Sequence, residues 1–388
     1  MINDPRTPNA AIVRPIPAKS SSAKTVIKII AAVIAVLVAL LLGLIVLFLI
    51  GVETGLVALL IGMVSATLPV PIYLMLVLWI DRYESEPAWM LATAFFWGAL
   101  VAVFFAFLIN TASDLAVQVM TNSARAGHTF GAVVSAPIVE ESAKALILFI
   151  FFFAKKDEFD GVIDGIVYAA MVGLGFAMTE NIQYYGKAVL EGGGGTLTFV
   201  FILRGFLAPF SHPMFTSMTG IGLGLARQSR NTFIKWVAPP FGLIAAMSMH
   251  SIWNGSGVLF GGGAFLLTYI LIMIPAFFIM LVVIALALRR EGQIVRQHLV
   301  VEFQGGLFTP DEYRRLGSIF GRMGMSFDAL TRGGFSHWQA SRQLNQTASE
   351  LAFHRNRVAR GITAADAVQR EAAYRMALED LLKRLRSK

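Results

Sequence analysis

Residues 135–156 read SAPIVEESAKALILFIFFFAKK, an apolar stretch that carries Glu140, Glu141 and Lys144 in its first half. A helix that crosses the hydrocarbon core of a bilayer needs about 20 mostly apolar residues. An Asp, Lys or Arg at the centre of such a helix costs about 2.5–3.5 kcal/mol. Because charges inside a membrane are expensive, they indicate a functional site by default.

The composition of the whole chain agrees with a membrane setting for this stretch. Of the 388 residues, 56% are hydrophobic and 14% are charged, whereas soluble domains average about 25% charged residues. The sequence has no cysteine, which excludes disulfides, thiolate nucleophiles and cysteine metal ligands. Any chemistry must therefore use carboxylates, histidines, hydroxyls or amines.

Eight apolar stretches are long enough to span a membrane, and they predict an all-α, polytopic bundle of about eight transmembrane helices. They cover residues 26–50, 55–80, 88–110, 129–153, 161–185, 197–225, 233–258 and 265–288. The predicted domains are a disordered cytoplasmic tail (1–24), the transmembrane domain (25–288) and a basic, helical cytoplasmic region (289–388).

Glycine and proline mark the expected interruptions of these helices. The glycine runs at 192–195 and 261–263 are expected to form flexible connections between spans. Prolines that could interrupt helices occur in the second and sixth spans: Pro69, Pro71, Pro209 and Pro213.

Lys and Arg accumulate in the cytoplasmic connections of membrane proteins. One alternate set of connections holds 11 of these residues and the other holds only Arg125 and Lys187. This asymmetry predicts a multi-pass protein of the cell membrane with both termini in the cytoplasm. Residues 289–388 contain 17 Lys and Arg against 10 Asp and Glu, which favours anionic lipid at the cytoplasmic face. Nucleic acid is not an expected partner, because the basic residues form no recognition motif.

Two helix starts are visible in the basic region. TPDEYRRL at 309–316 has Thr309 as N-cap, Pro310 at the first helical position and Glu312 three residues after the cap. A similar start occurs at Thr363. The region is therefore predicted to be a small helical appendage, and its simplest role is to stabilise the protein or to dock a partner.

Three further predicted spans carry polar or ionisable residues. The residues in question are Asp164, Glu180, Asn181, Arg204, His212, His250 and Asn254. At 1.5 Å per residue, the side chains of Glu140, Glu180, His212 and His250 lie about 8–22 Å from the outer ends of their spans. Because these depths overlap, we predict one shared polar cavity. Lys144 can reach either Glu140 or Glu141 on its own helix, while the two glutamates diverge by about 100° around the helix axis.

A purely structural interpretation competes with a functional one. Lys144 could simply neutralise a glutamate, and Arg204 could pair with Glu180. That interpretation gives no reason for two histidines and an asparagine in addition. Carboxylates and imidazoles can activate water against a carbonyl group, and the HExxH, GxGD and GxSxG motifs of other membrane hydrolases are absent from the sequence.

The sequence resembles the PrsW-type glutamic intramembrane proteases, relatives of the CAAX prenyl proteases and bacteriocin-processing membrane peptidases. Five segments carry the resemblance, in the order of that family. They are DRYESEP (81–87), EESAK (140–144), DGIVYAAMVGLGFAMTEN (164–181), RGFLAPFSHPMFTSMTGIGLG (204–224) and HSIWN (250–254). The long N-terminal tail and the region after residue 288 depart from the family pattern.

The resemblance implies a membrane endopeptidase that cleaves a membrane protein, such as an anti-sigma factor, with water activated by glutamate. It implies these catalytic residues: Glu140, Glu141, His212, His250 and Asn254, the last as an oxyanion donor. It also implies supporting roles for Lys144, Asp164, Glu180, Asn181 and Arg204. No cofactor is expected, because Lys144 would repel a cation; if Zn²⁺ is bound, the expected ligands are Glu141, His212 and His250.

Two other functions remain open from the sequence. A proton-coupled transporter or channel could use buried Glu and His residues as a relay, although no internal repeat is visible. A non-catalytic scaffold descended from the protease fold would make the carboxylates dispensable. The oligomeric state is not predicted.

Overall fold

A computed structural model of the chain describes residues 22–361 and 366–386. In those residues the chain is almost entirely helical and contains no strand, which confirms the all-α prediction. The α-helices are α1 (Ser22–Thr54), α2 (Leu56–Thr67), α3 (Val70–Ile80), α4 (Ala88–Phe96), α5 (Val103–Thr121), α6 (Ala124–Phe130), α7 (Ala136–Ala154), α8 (Val162–Ile202), α9 (Ser211–Gln228), α10 (Thr232–Thr268), α11 (Ile274–His298), α12 (Val300–Gln304), α13 (Pro310–Leu316), α14 (Ile319–Ala359) and α15 (Ala367–Arg386). Short π-helical segments occupy Trp97–Ala102, Gly131–Ser135, Leu203–Leu207 and Tyr269–Met273.

The described chain divides into two units. The membrane unit comprises Ile30–Asp81 and Glu86–Ala285, and the C-terminal unit comprises residues 22–29, Arg82–Ser85 and the described residues after Leu286. The predicted disordered tail (1–24) falls mostly outside the described residues, and α1 already begins at Ser22.

Five helical stretches in the described residues, two of them with an internal break, are long and apolar enough to cross a membrane. They are Thr25–Thr54, Leu56–Ile80, Ala88–Thr121, Val162–Gln228 and Thr232–His298. These stretches confirm a membrane helix bundle. The number of eight crossings and the side on which each end lies stay predictions.

Glycine and proline interrupt the long stretches as the sequence suggested, but the interruptions are sharper than flexible loops. The α8 helix runs on past residue 185 and bends at Gly192 and Gly193, where φ of Gly193 is 62°. The α10 helix bends at Gly261, where φ is 80°. Pro69 separates α2 from α3. The predicted span 197–225 is broken at residues 208–210, so that α9 starts afresh at Ser211.

The α8 helix forms the centre of the membrane unit, since all its residues from Val162 to Phe176 are buried. Glycines allow its backbone to touch its neighbours. A Cβ on Gly165 would lie 2.1 Å from the carbonyl oxygen of Gly220, and one on Gly173 would lie 2.6 Å from the nitrogen of Pro213. These two glycines therefore serve close packing, and Gly173 lets the start of α9 lie directly against α8.

A buried arginine, Arg322, connects several parts of the C-terminal unit. Arg322 donates to the carbonyl of Leu316 (2.7 Å) and to the hydroxyl of Ser349, and its guanidinium lies 4.3 Å from the ring centre of Tyr83. The predicted cap at Thr309 is confirmed, because its hydroxyl accepts from the Glu312 amide at 3.2 Å. Thr363 lies outside the described residues.

Candidate active site

Glu141 is at the centre of the buried polar cluster. It lies on α7, and its side chain is completely buried. One oxygen accepts from Lys144 Nζ at 2.8 Å and from His250 Nδ1 at 3.1 Å. The other oxygen accepts from the hydroxyl of Thr216 at 2.9 Å. Both oxygens of this carboxylate are thus engaged by donors from three helices.

Glu140 is also buried, but its two oxygens are bonded unequally. Oε1 accepts from the Asn110 amide at 3.3 Å. Oε2 lies 3.5 Å from Lys144 Nζ and 3.9 Å from His250 Nε2, and has no hydrogen-bond partner. Asn110 is itself oriented by the hydroxyl of Ser135, which donates to its oxygen at 2.9 Å. Glu140 therefore presents a buried oxygen with spare acceptor capacity.

Each of the two histidines has one nitrogen held by a carboxylate. His212 Nε2 lies 2.9 Å from Glu180 Oε2, and His250 Nδ1 lies 3.1 Å from Glu141. His212 Nδ1 is 3.0 Å from Lys144 Nζ; since an ammonium can only donate, this nitrogen accepts and Nε2 carries the proton given to Glu180. The imidazole rings are 5.1 Å apart. The nitrogens not held by carboxylates are His212 Nδ1 and His250 Nε2.

A second ion pair extends the cluster from α8 to the segment before α9. Arg204 pairs with Glu180 and donates to the Asn181 oxygen at 2.6 Å. Its guanidinium also stacks on Tyr184, 3.7 Å from the ring centre. The predicted pairing of Arg204 with Glu180 is therefore observed. It links to the first cluster because Glu180 also holds His212.

With its carboxylates, Lys144 and Arg204 ionised, the cluster has an excess of negative charge. Three carboxylates (Glu140, Glu141 and Glu180) face two cations (Lys144 and Arg204). Lys144 is fully buried, and its ammonium also lies 3.8 Å from the ring centre of Phe176. The surplus negative charge can be neutralised by a proton or by a bound cation.

Two residues expected at the site have different contacts. Asp164 accepts from the backbone amides of Asp160 (2.8 Å) and Gly161 (2.6 Å), and so caps the start of α8. The Asn254 amide donates to the carbonyl of Ala132 at 2.9 Å. Asn254 thus holds the π-helical segment before α7, and its role as an oxyanion donor stays a prediction.

Two residues of the cluster escaped the sequence reasoning. Thr216 lies four residues after His212, so helical spacing alone places both on one face of α9. Asn110 is a single amide side chain at the end of a predicted apolar span. Asn254 was singled out for a similar position in another span, so the same signal could have identified Asn110. Asn110 lies outside the segments that carry the family resemblance, and Thr216 lies within residues 204–224 but was not singled out there.

The donor set suits a metal ion. Ligand atoms of Glu140, His212 and His250 lie within 4.8 Å of one another, and two imidazoles with one carboxylate are typical of catalytic zinc sites. The carboxylate in this group is Glu140, in place of the expected Glu141. Glu141 instead holds the far nitrogen of His250, as outer carboxylates do for metal-binding histidines. Glu140 Oε2, which has no hydrogen-bond partner, has the free acceptor capacity that a ligand needs.

Comparisons with known proteins agree with this geometry. A model of the family described as "PrsW family intramembrane metalloprotease" matches residues 86–280, a range that contains every residue of the cluster. Protease PrsW of Geobacillus kaustophilus is 35% identical over 147 residues, or 38% of this chain and 58% of the relative. Protease PrsW of Bacillus subtilis is 33% identical over 175 residues, or 45% of this chain and 72% of the relative.

A third relative, Protease PrsW of Oceanobacillus iheyensis, is 28% identical over 195 residues, or 50% of this chain and 82% of the relative. The match to the G. kaustophilus relative spans less than two thirds of its length. No solved structure is similar to the chain.

Proposed function

Because the chain belongs to the PrsW family of intramembrane metalloproteases, we propose that it is a membrane endopeptidase that hydrolyses a peptide bond of a membrane protein. The observation that carries the proposal is the buried Glu140 Oε2, which lacks a hydrogen bond and lies beside the two histidines. A buried carboxylate with this freedom can accept a proton from water.

The proposed reaction starts at Glu140. Its Oε2 removes a proton from a water molecule whose oxygen attacks the carbonyl carbon of the substrate. The Lys144 ammonium, 3.5 Å from the same oxygen, supplies positive charge next to the oxyanion that forms. The proton then passes from Glu140 to the departing amine as the carbon–nitrogen bond breaks. The products are a carboxylic acid and an amine, and Glu140 is a carboxylate again.

The other residues of the cluster keep these groups in place. Glu141 has partners on both oxygens, so we assign it to positioning: it fixes Lys144 and His250. Glu180 fixes His212 from the opposite side. Removing either carboxylate would free a buried histidine or lysine to move away from Glu140.

The same residues support a metal-dependent version of the reaction. Glu140, His212 and His250 would hold the ion, which would act as a Lewis acid on the substrate carbonyl and acidify water. Glu141 and Glu180 would then orient the two histidine ligands. Lys144 repels a bound cation less than the sequence suggested, because Glu141 at 2.8 Å offsets the charge of its ammonium.

The substrate and the membrane topology belong to the same proposal. The resemblance to PrsW-type proteases supports an anti-sigma factor as substrate, in regulated proteolysis. The distribution of Lys and Arg supports a multi-pass cell-membrane protein with both termini in the cytoplasm and anionic lipid near the basic region. Because the chain has no cysteine, single cysteines introduced in each connection can be labelled from either side to test the topology.

The test of the protease proposal is membrane proteomics on cells that express the wild type, Glu140→Gln or Glu141→Gln. We expect membrane proteins that are shortened only by the wild type. Glu53→Gln is the matched control, since Glu53 is a half-exposed glutamate outside the cluster. Identical fragment patterns in the wild type, Glu140→Gln and Glu141→Gln would refute the proposal.

Metal dependence is tested separately on the purified full-length protein. In the metal-dependent version, the protein retains about one equivalent of Zn²⁺, and Glu140→Gln lowers the metal content as well as the activity. A wild type that binds no Zn²⁺ and cleaves equally well with a chelator would support the metal-free version.

A further inference from the structure

A cavity of about 260 Å³ adjoins the catalytic cluster inside the membrane unit. His212 forms part of both the cavity wall and the cluster. The rest of the wall is mainly apolar and comes from α2 and α3, from α8 and from α10; it includes Ala66, Val70, Leu174, Ala177, Met178 and Trp253. The cavity is therefore next to the reacting groups without containing the glutamate pair.

Two polar groups in the wall, Tyr73 and Arg204, already have partners. Tyr73 donates its hydroxyl hydrogen to the carbonyl of Gly205. Arg204 is paired with Glu180, bonded to Asn181 and stacked on Tyr184. Since these groups are satisfied, the cavity offers little to a charged or strongly polar group. It suits an apolar group, which gains free energy by leaving water or by filling the space.

The size of the cavity limits what can enter. A helix with its side chains is about 10–12 Å across, so a cavity of about 260 Å³ cannot hold a helical segment. It can hold one large side chain such as Leu, Met or Phe. A substrate that inserts one side chain here, with its backbone beside His212, must be unwound at that point.

We propose that this cavity is a substrate subsite that receives one large apolar side chain next to the scissile peptide bond. The inference rests on the proposed protease function and adds a substrate class to it: membrane segments that unwind locally and carry Leu, Met or Phe beside the cut. Full burial of such a side chain contributes about 1.5–3 kcal/mol, so the subsite discriminates against small residues by about tenfold or more.

Ala177 is the position from which the cavity can be filled. It lines the cavity and lies on α8, three residues before Glu180. Ala177→Phe places a ring in the space, whereas Ala177→Ser keeps its volume and serves as the matched control. Met178→Ala enlarges the cavity and creates no clash, so it tests the proposal even if Ala177→Phe folds poorly.

The experiment sequences the new protein termini in membranes of cells that express each full-length variant, with Glu141→Gln as background. We expect wild-type cuts to be enriched in Leu, Met or Phe at one fixed position beside the cleaved bond. Ala177→Phe should lose these sites by about tenfold or more and shift the preference to Ala, Ser and Gly. Met178→Ala should extend the preference to larger side chains such as Trp, and Ala177→Ser should match the wild type.

The outcomes separate this inference from the proposed function. Wild-type-specific termini with the same residue preference in wild type, Ala177→Phe and Met178→Ala would overturn the subsite and leave the protease standing. If Ala177→Phe instead released a co-purifying lipid without changing the preference, the cavity would be a lipid site and the subsite would be refuted. Without any termini specific to the wild type, the protease proposal fails, and the subsite fails with it.

Discussion

Glu140 in the membrane unit and Glu302 in the C-terminal unit are both buried, with 6% and 3% of their surface exposed. Glu302 accepts from two nitrogens of Arg355 at 2.6 and 2.7 Å. Glu140 has one hydrogen bond, from Asn110 at 3.3 Å, and one oxygen without any. Burial is therefore the same in the two regions, and the difference is in how many donors the carboxylate has.

The buried cations of both regions have several partners, in contrast to Glu140. Arg322 of the C-terminal unit is held by the Leu316 carbonyl, the Ser349 hydroxyl and the Tyr83 ring. Burial lowers the pKa of Arg322 to about 10, so it remains charged at neutral pH. The Lys144 ammonium also has partners: Glu141 at 2.8 Å and His212 at 3.0 Å, with Glu140 at 3.5 Å. A saturated buried charge stabilises one structure, whereas an unsaturated one can bind or exchange a proton.

Glu140→Gln provides the strongest test of this difference. An amide cannot accept the proton of water, so we expect the rate of cleavage to fall by at least about 100-fold. The melting temperature of the protein should change little, because Gln keeps the shape and can still accept from Asn110. The measurement is cleavage of a substrate identified by proteomics, beside thermal unfolding. A variant that cleaves at the wild-type rate would remove Glu140 from the reaction.

Glu302→Gln should have the opposite profile. It removes the charge of the carboxylate that Arg355 contacts through two nitrogens and leaves Glu371, at 2.8 Å, as the remaining charged partner of that guanidinium. Hydrogen bonds to a charged group contribute about 1.5–3 kcal/mol. In hydrogen exchange of the full-length protein, we expect amides of α14 and α15 to exchange about 100-fold faster, while those of α7 and α9 are unchanged. Unchanged exchange in α14 and α15 would show that the Glu302–Arg355 pair contributes no stability.

The sequence supplied the charged residues and the histidines of the cluster, but it supplied neither Asn110 and Thr216 nor the bonding within the cluster. Spacing along α7 placed Lys144 within reach of both glutamates, and the motifs supplied His212 and His250. Which glutamate keeps a free oxygen depends on Asn110 and Thr216, and these come from other helices. A helix that is apolar on all sides has no periodicity from which its rotation can be inferred, so contacts between helices could not be predicted.

The bends of the helices were also only partly predictable from the sequence. Pro69 fixes its own φ and lacks an amide hydrogen, so the interruption between α2 and α3 was predictable. Gly192 and Gly261 permit a sharp bend as readily as a loop, and the packing of the flanking helices decides between them. The predicted ends of the spans therefore differ from the ends of the helices, as at α8, which runs on past residue 185.

Asp81, which follows α3, is an intermediate case between Glu140 and Glu302. Its Oδ2 accepts from the Glu86 amide at 2.9 Å. Burial raises the pKa of Asp81 to about 8 from an ordinary value of 3.8, and the nearby Asp164 carboxylate adds to the shift. Because the folded pKa is the higher one, the folded state holds an extra proton between about pH 4 and pH 8, and stability falls as the pH rises through that window.

We therefore expect the thermal stability of the full-length protein in detergent to decrease from pH 5 to pH 8, by an amount of the order of 1 kcal/mol from this group. Asp81→Asn, which cannot ionise, should flatten that part of the profile. Glu191→Gln is the control, since Glu191 is exposed. A profile as steep in Asp81→Asn as in the wild type would assign the pH dependence to other groups.

The smallest effect is expected at Glu53, a carboxylate that is well paired but exposed. Lys187 Nζ lies 2.8 Å from it, Gln183 donates to it at 2.7 Å, and both charged side chains are about 40% exposed (41% and 42%). Water solvates both charges when the pair is broken, so Lys187→Met should cost less than about 1 kcal/mol in thermal unfolding, and less still in high salt. A loss as large as that of Glu302→Gln would mean that pairing distance, which is similar at the two sites, determines the cost. Burial would then not explain why Glu302 stabilises the C-terminal unit. The carboxylates of Glu302 and Glu140 would differ only in the number of their hydrogen-bond partners.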